Sequence, residues 1–269
     1  MKRWQKRTLA AVIALPILVF AAILIYAKVI NKADDKAADE FKDRAAQAQQ
    51  ATTVAAAPTT ASAVVVSETP ATVDAVATTA TTATTGTAAT AGGGPLSGAW
   101  TVDATGDIYV GYRVEEVLAG VNTTATGRTT QVTGSATFDG STLSAAEFTA
   151  DVASIKSDQS RRDDQFTGRI MQADQFPTAS FVLTQPVTLA AVPAEAEVVD
   201  LSATGDLTLH GVTKSVTFDL QGFVAGGKMT VTGAIPILFA DYAIEDPSIG
   251  PVATENNGLL EFLLVLTKG

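Results

Sequence analysis

The chain lacks cysteine, has a single histidine and contains few aromatic residues, and each scarcity excludes a class of site. Among its 269 residues only 6% are aromatic, and His210 is the one histidine. Without cysteine there is no disulfide framework and no thiolate metal site, and one histidine offers zinc too few ligands. A carboxylate calcium site stays open, although no Asp-rich loop of the usual spacing occurs. We therefore expect no cofactor, no bound metal and a fold that is stabilised by its apolar core alone.

Basic residues are scarce beyond the N-terminus. Six of the 18 lysines and arginines lie before residue 33, where the chain has no acid. The remainder carries 28 acids against 12 bases, a formal charge of −16. Proteins bind nucleic acid and anionic lipid surfaces through clustered Lys and Arg. The composition therefore disfavours nucleic acid as a partner.

One uncharged run near the N-terminus, Thr8–Ala27, is long enough to cross a bilayer. As a helix, its 20 residues would span ~30 Å, with four basic residues before it and two after it. This distribution of charge favours a single-pass membrane protein with a cytoplasmic tail at residues 1–7 and a signal anchor at residues 8–30. The C-terminal domain would then be extracytoplasmic. A cleaved signal peptide is the alternative, but its apolar core is normally ~7–15 residues long.

Residues 31–98 have little apolar bulk. The part up to Gln50 is polar, rich in alanine and helix-like, whereas Ala51–Gly98 contains 14 alanines and 14 threonines in 48 residues. Such a composition cannot offset the entropy lost on ordering, so we predict a disordered linker. A flexible chain of that length has an end-to-end distance of ~40 Å.

Residues 99–269 consist of short segments in which apolar and polar residues alternate. The segments are Ile108–Val114, Gln131–Phe138, Leu143–Ile155, Ala179–Leu189, Val198–Leu209, Lys214–Leu220, Lys228–Ile237 and Leu259–Thr267. Because no long helical pattern intervenes, they predict an all-β domain, either an antiparallel barrel or a sandwich. The last segment is apolar on nearly both faces, which favours closure into a barrel, since an exposed apolar edge would aggregate.

Two local patterns add detail to this domain. In Gly205–Leu220, two alternating runs flank His210 and Gly211 and predict a β-hairpin with one apolar face. In the loop at residues 157–172, Phe166 and Ile170 stand four residues apart among charged residues, which predicts a short helix.

Five motifs in this region resemble the YceI-like family. In chain order they are Trp100-x-x-Asp103, the loop Ser157–Asp163, Gln175–Phe181, Gly205–Lys214 and Phe239–Ile244. The resemblance runs from about Trp100 to Lys268. Two positions depart from the family pattern: Gly106-Asp107 stands where many members carry His-Ser, and Ala243 stands where the late motif has glycine.

The resemblance implies an extended, lipocalin-like antiparallel β-barrel of about eight strands that holds a polyisoprenoid or another long-chain lipid. Family members are bacterial and commonly exported, which agrees with the predicted anchor. A barrel of this size has room for side chains or one slender ligand. The candidate ligand-lining residues are Phe138, Phe148, Phe181, Leu207, Leu209, Phe218 and Phe262. Each of them is also compatible with an ordinary packed core.

Three polar residues are candidates for contact with a ligand head group. Arg161 and Arg162 could grip phosphate oxygens, but Asp163 and Asp164 follow directly and favour a local ion pair instead. His210 lies at the predicted hairpin tip without a nucleophile motif nearby, which favours a structural role in the turn over head-group contact or catalysis.

The first hypothesis is therefore a membrane-tethered lipid-binding protein, without enzymatic activity, that sequesters or carries a polyisoprenoid or similar amphiphile. The second is a stalked interaction module with a filled barrel, whose function lies on its outer loops. The third is a hydrolase or isomerase that modifies such a lipid through His210 and a nearby carboxylate.

Overall fold

The alternating segments form an antiparallel sheet that closes on itself in the computed structural model, which describes residues 43–47 and 94–269. Residues 43–47 are helical (α1). The strands are β1 (Gly98–Val102), β2 (Tyr109–Leu118), β3 (Val121–Thr129), β4 (Val132–Asp139), β5 (Thr142–Asp151), β6 (Lys156–Ser157), β7 (Thr178–Leu183), β8 (Val187–Thr188), β9 (Val199–Leu209), β10 (Val212–Ala225), β11 (Lys228–Leu238), β12 (Val252–Thr254) and β13 (Asn257–Lys268). A second helix, α2 (Ser160–Gln165), continues into a π-helical turn at Phe166–Ile170, and a 3-10 turn spans Phe239–Tyr242.

Eight of these strands make a closed ring. Their order around it is β1, β4, β5, β7, β9, β10, β11 and β13, and β13 completes the ring by pairing with β1. All of these pairings are antiparallel. The predicted antiparallel barrel of about eight strands, with a short helix in the 157–172 loop, is therefore confirmed.

Strand β13 pairs with two consecutive strands along the same edge. Trp100 of β1 faces Lys268, and Tyr109 of β2 faces Leu263, so β1 and β2 lie end to end beside β13. Strand β3 pairs with β2 and extends the sheet beyond the ring. The sequence did not predict β3, because its segment, VNTTATGRT, has almost no apolar alternation.

A tight turn joins β1 to β2 and is organised by Asp103. Its carboxylate accepts hydrogen bonds from Lys228 Nζ at 2.8 Å and from the hydroxyl and backbone N–H of Thr105 at 2.6 and 3.0 Å. The bond from Lys228, followed by those from Thr105, lowers the pKa of Asp103 to about 2. A Cβ atom at Gly106 would lie 3.1 Å from Val265 Cβ, so the turn lies directly against β13.

The final strand is apolar on both faces because both faces are covered. Leu260, Phe262 and Leu264 alternate into the interior of the barrel. Leu263 points the other way and is only 3% exposed, since it packs with Phe223 and with Ala45 of α1. Closure of the barrel by this strand is confirmed, and its outer face is not left open to solvent.

The predicted hairpin is formed by β9 and β10. Leu209 faces Val212, and the two residues between them have positive φ angles, 50° at His210 and 74° at Gly211. Two successive left-handed residues make the type I′ turn that fits the twist of a hairpin. A Cβ atom at Gly211 would lie 2.5 Å from the Phe176 ring, so the position needs glycine for space as well as for conformation.

The described residues include no helix with the length and apolarity needed to cross a membrane. The predicted cytoplasmic tail at residues 1–7 and the anchor at residues 8–30 lie outside the described residues. Of the predicted polar segment and linker at residues 31–98, only residues 43–47 and 94–98 are described.

Replacement of Asp103 by Asn should remove part of the barrel's sensitivity to acid. Because the folded pKa of about 2 lies below the ordinary 3.8, ionised Asp103 stabilises the fold above about pH 4, and this contribution is lost as the pH falls toward 2. In urea unfolding, D103N should be less stable than the wild type at about pH 5, and the two should converge near pH 2. Exposed Asp164→Asn serves as the control, and parallel pH profiles for D103N and the wild type would contradict this assignment.

Candidate functional site

The interior of the barrel contains an apolar cavity of about 150 Å³, called here the inner cavity. Seven of the eight ring strands contribute to its wall, and Leu96, Leu189 and Pro193 line it from loops at the end where β9 begins. Its wall is formed by apolar atoms. An apolar cavity of this size stays dry and accepts molecules as large as benzene. The inner cavity is therefore suited to hydrocarbon.

The residues predicted to line a ligand pocket face cavities inside the barrel. Those on the wall of the inner cavity are Phe138, Phe148, Phe181, Leu207, Phe218 and Phe262, whereas Leu209 lines a second cavity. The ring of Phe218 meets Phe181 edge to face at 5.4 Å and Phe262 at 5.9 Å, so three aromatic side chains make a continuous section of wall. Contact of these seven residues with a ligand stays a prediction.

A second cavity of about 110 Å³, called the outer cavity, lies beside the helical region. Phe166, Ile170 and Met171 line it from the π-helical turn and the residue that follows. Val110 and Leu260 line both cavities, so the two adjoin at these side chains. The inner cavity extends toward the end near Leu189, and the outer cavity lies at the helical end.

The outer cavity carries polar groups on an otherwise apolar wall. The polar side chains that line it include Tyr112, Glu116 and Arg162. The Tyr112 ring stacks on Phe166 at 4.5 Å and also lies over Gly127, where a Cβ atom would come within 2.5 Å of the ring. Gly127, on the neighbouring strand β3, therefore leaves space for the Tyr112 ring. This ring lies between the sheet and Phe166 of the π-helical turn.

Burial governs the ionisation of these groups. It raises the pKa of Tyr112, so the phenol remains a hydrogen-bond donor at neutral pH. It also raises the pKa of Glu116, an effect that Arg162 opposes and Asp158 reinforces. Arg162 is itself ion-paired with Asp158, which precedes it by four residues. The outer cavity thus combines a carboxyl group whose pKa is raised by burial with a guanidinium whose charge is already balanced.

The polar residues predicted from the sequence lie in different places. Arg162 lines the outer cavity, whereas Arg161 is exposed and lines neither cavity. His210 also lines neither cavity and is only 6% exposed. Its Nδ1 lies 3.0 Å from the carbonyl oxygen of Tyr242, and the ring of Phe176 meets the imidazole edge to face at 4.7 Å. The histidine thus anchors the hairpin turn to two neighbouring segments.

Tyr112 and Glu116 were missed by sequence reasoning. The signal that could have found them is their position on β2, where Val110, Tyr112, Val114 and Glu116 occupy alternate residues and all line the outer cavity. A carboxyl group on the inward face of a strand costs free energy unless it has a function or a partner.

A model of the YceI-like domain family matches residues 100–265 of the chain. The chain belongs to the YceI-like family. The resemblance inferred from the five motifs is thereby confirmed. Among curated proteins, no match is found.

Several solved structures are similar to this YceI-like chain. A polyisoprenoid binding domain from Saccharophagus degradans, implicated in plant cell wall breakdown, aligns with a TM-score of 0.51 at 16% identity, covering 63% of this chain and 98% of that one. BcnA from Burkholderia cenocepacia aligns with a TM-score of 0.48 at 24% identity, covering 61% and 98%. The Campylobacter jejuni YceI protein aligns with a TM-score of 0.37 at 18% identity, covering 50% and 82%. At these low identities only the fold can be compared, and the Saccharophagus domain, with its TM-score of 0.51, supports the barrel fold of this chain.

Replacement of Glu116 by Gln should stabilise the YceI-like barrel at alkaline pH. Because burial raises the folded pKa of Glu116, the wild type loses stability as the pH rises through that pKa and the buried carboxyl ionises. The free energies of unfolding of E116Q and the wild type should differ little near pH 4, and the variant should be the more stable near pH 8. Exposed Glu147→Gln, on β5, should show no such gain in stability between pH 4 and pH 8. A difference between E116Q and the wild type that does not change with pH would refute the assignment.

Proposed function

We propose that this YceI-like protein binds a long amphiphile of the polyisoprenoid type, with its hydrocarbon in the inner cavity and its polar end in the outer cavity. The observation that carries the proposal is the junction at Val110 and Leu260, where an apolar cavity meets one with polar groups. A cavity with one apolar end and one polar end is complementary to a molecule with the same asymmetry.

The dimensions and chemistry of the wall favour a chain over a compact ligand. The inward side chains from Leu260 to Leu266 span about 20 Å of β13 at ~3.4 Å per residue. Each methylene group buried there gains about 0.8 kcal/mol, so affinity grows with chain length. The likeness to a polyisoprenoid binding domain supports an isoprenoid as the chain, and the aromatic wall at Phe181, Phe218 and Phe262 suits its branched units.

The polar end favours a neutral head group. Arg162 is already paired with Asp158, and Glu116 lies on the same cavity wall, so a phosphate would meet a carboxyl group as well as the guanidinium. A hydroxyl or carbonyl group could instead accept a hydrogen bond from the Tyr112 phenol, and a hydroxyl could donate one to the carboxyl group of Glu116. A head group of this kind fixes the direction in which the chain lies.

Binding without chemical conversion is the activity that these residues support. His210 is the only histidine of the chain, and it lies outside both cavities, where it cannot transfer protons to a bound ligand. The presence of an apolar cavity inside the barrel favours ligand binding over the filled-barrel interaction module. The predicted anchor at residues 8–30 would tether this binding activity to the membrane, with the barrel on the extracytoplasmic side, and its residues supply the expected contact with the bilayer.

A substitution that fills the inner cavity should abolish lipid binding. Ala146 lines the cavity, whereas its neighbour Ala145 is exposed on the same strand, so A146F and A145F form a matched pair. We expect lipid extracted from purified A146F to fall at least tenfold relative to the wild type, and lipid from A145F to be unchanged, because only the first ring occupies the volume meant for the chain. Organic extraction followed by mass spectrometry measures both and identifies the lipid.

Circular dichroism should establish that both variants retain the barrel before extraction. If A146F does not fold, Ala146→Val serves as a milder variant. Its smaller side chain should reduce the amount of extracted lipid less than A146F would. Equal lipid content in A146F and A145F, or no lipid in the wild type after expression with added isoprenoids, would overturn the proposed function.

A further inference from the structure

A small apolar cluster on the barrel is separate from the main core. It consists of Phe223 and Ala225 on β10, Leu263 on β13 and Tyr109 at the start of β2, and it is called here the outer patch. Phe223 and Leu263 are 5% and 3% exposed. Leu263 points away from the inner cavity, whose wall is formed by its neighbours Phe262 and Leu264, whereas Phe223 also borders that cavity. Something outside the barrel wall therefore covers this patch.

The covering element is α1, which lies about fifty residues before the barrel begins. Ala45 is 4% exposed and packs with Phe223 and Leu263. Next to it, the Arg44 guanidinium pairs with the carboxylate of Asp107, and Arg44 also donates to the carbonyl oxygen of Asp107 at 3.4 Å. An apolar contact and an ion pair from adjacent residues thus fix α1 to the barrel at two points.

We propose that α1 is a docking element that occupies the outer patch within its own chain. The barrel is then connected to the N-terminal region through α1 at residue 43, and not only through the start of the barrel at residue 94. Because the segment is covalently joined to the barrel, its effective concentration at the patch is far above that of a second molecule. This is what favours docking in the same chain over exchange between two chains.

The docking changes how far the barrel can lie from a membrane. With the proposed anchor ending at residue 30, the connection to the barrel is residues 31–42, which reach at most about 40 Å at ~3.4 Å per residue. Without docking, residues 31–93 would allow roughly 200 Å. This consequence rests on the proposed anchor, whereas the docking itself rests on neither the anchor nor the lipid.

The absence of cysteine makes a disulfide test direct, since each introduced pair is the only pair in the chain. Ala45→Cys is combined with Ala225→Cys at the outer patch, or with Ala145→Cys as the control. Ala145 is exposed on β5, and two ring strands separate β5 from β10 on one side and from β13 on the other. Purified full-length protein is oxidised at low concentration, and the intramolecular disulfide is quantified by mass spectrometry after digestion.

The A45C/A225C pair should oxidise at least tenfold faster than A45C/A145C. Adding Asp107→Arg should slow the first pair several-fold and leave the second unchanged, and the reversed pair Arg44→Glu with Asp107→Arg should restore the rate. Circular dichroism confirms that each variant is folded. Equal rates for the two cysteine pairs would overturn the proposal, and a disulfide that links two molecules would overturn docking within one chain. Since no lipid takes part, the result is independent of the proposed function.

Discussion

Strand β13 has to bury apolar side chains on both of its faces, and much of the architecture follows from that requirement. Its inner face lines the cavity with Phe262 and Leu264, while the outer face is covered at Leu263 and Val265, which are 3% and 7% exposed. The same strand pairs with β11 along its length and with β1 and β2 in succession. A strand of this composition at an open edge would recruit other chains, so ring closure and coverage are needed together.

The same arrangement constrains the turn between β1 and β2. Because both strands pair with one edge of β13, the turn between them must stay packed against β13. Asp103 holds the turn through Thr105 and Lys228, and Gly106 allows it to lie against Val265. The family motif Trp100-x-x-Asp103 therefore has a structural role. Trp100 is buried in the core, with 2% exposure, and Asp103 links the turn to Lys228 of β11.

Features that depend on neighbouring residues could be predicted from the sequence, and features that depend on distant contacts could not. The β9–β10 hairpin follows from alternation around His210 and Gly211, and the short helix from the spacing of Phe166 and Ile170. Strand β3 was missed because its sequence is mostly polar and it is held as a strand by pairing with β2, outside the ring. The burial of His210 was equally invisible, since Phe176 and Tyr242, which surround it, come from segments more than thirty residues away.

The candidate site divides in the same way. Alternation identified the aromatic wall, because facing inward on a strand is a local property. It did not reveal that Tyr112 and Glu116 share a cavity with Arg162, because that depends on how the helical region packs over β2. That region is attached differently from the wall. The ring is held by continuous hydrogen-bonded ladders, whereas Arg169 ties the π-helical turn to the carbonyl oxygens of Asp246 and Pro247 at 3.1 and 2.7 Å. The strand wall of the inner cavity is therefore held by backbone pairing, whereas the helical side of the outer cavity is bounded by side-chain contacts, which adjust at lower cost than a sheet does.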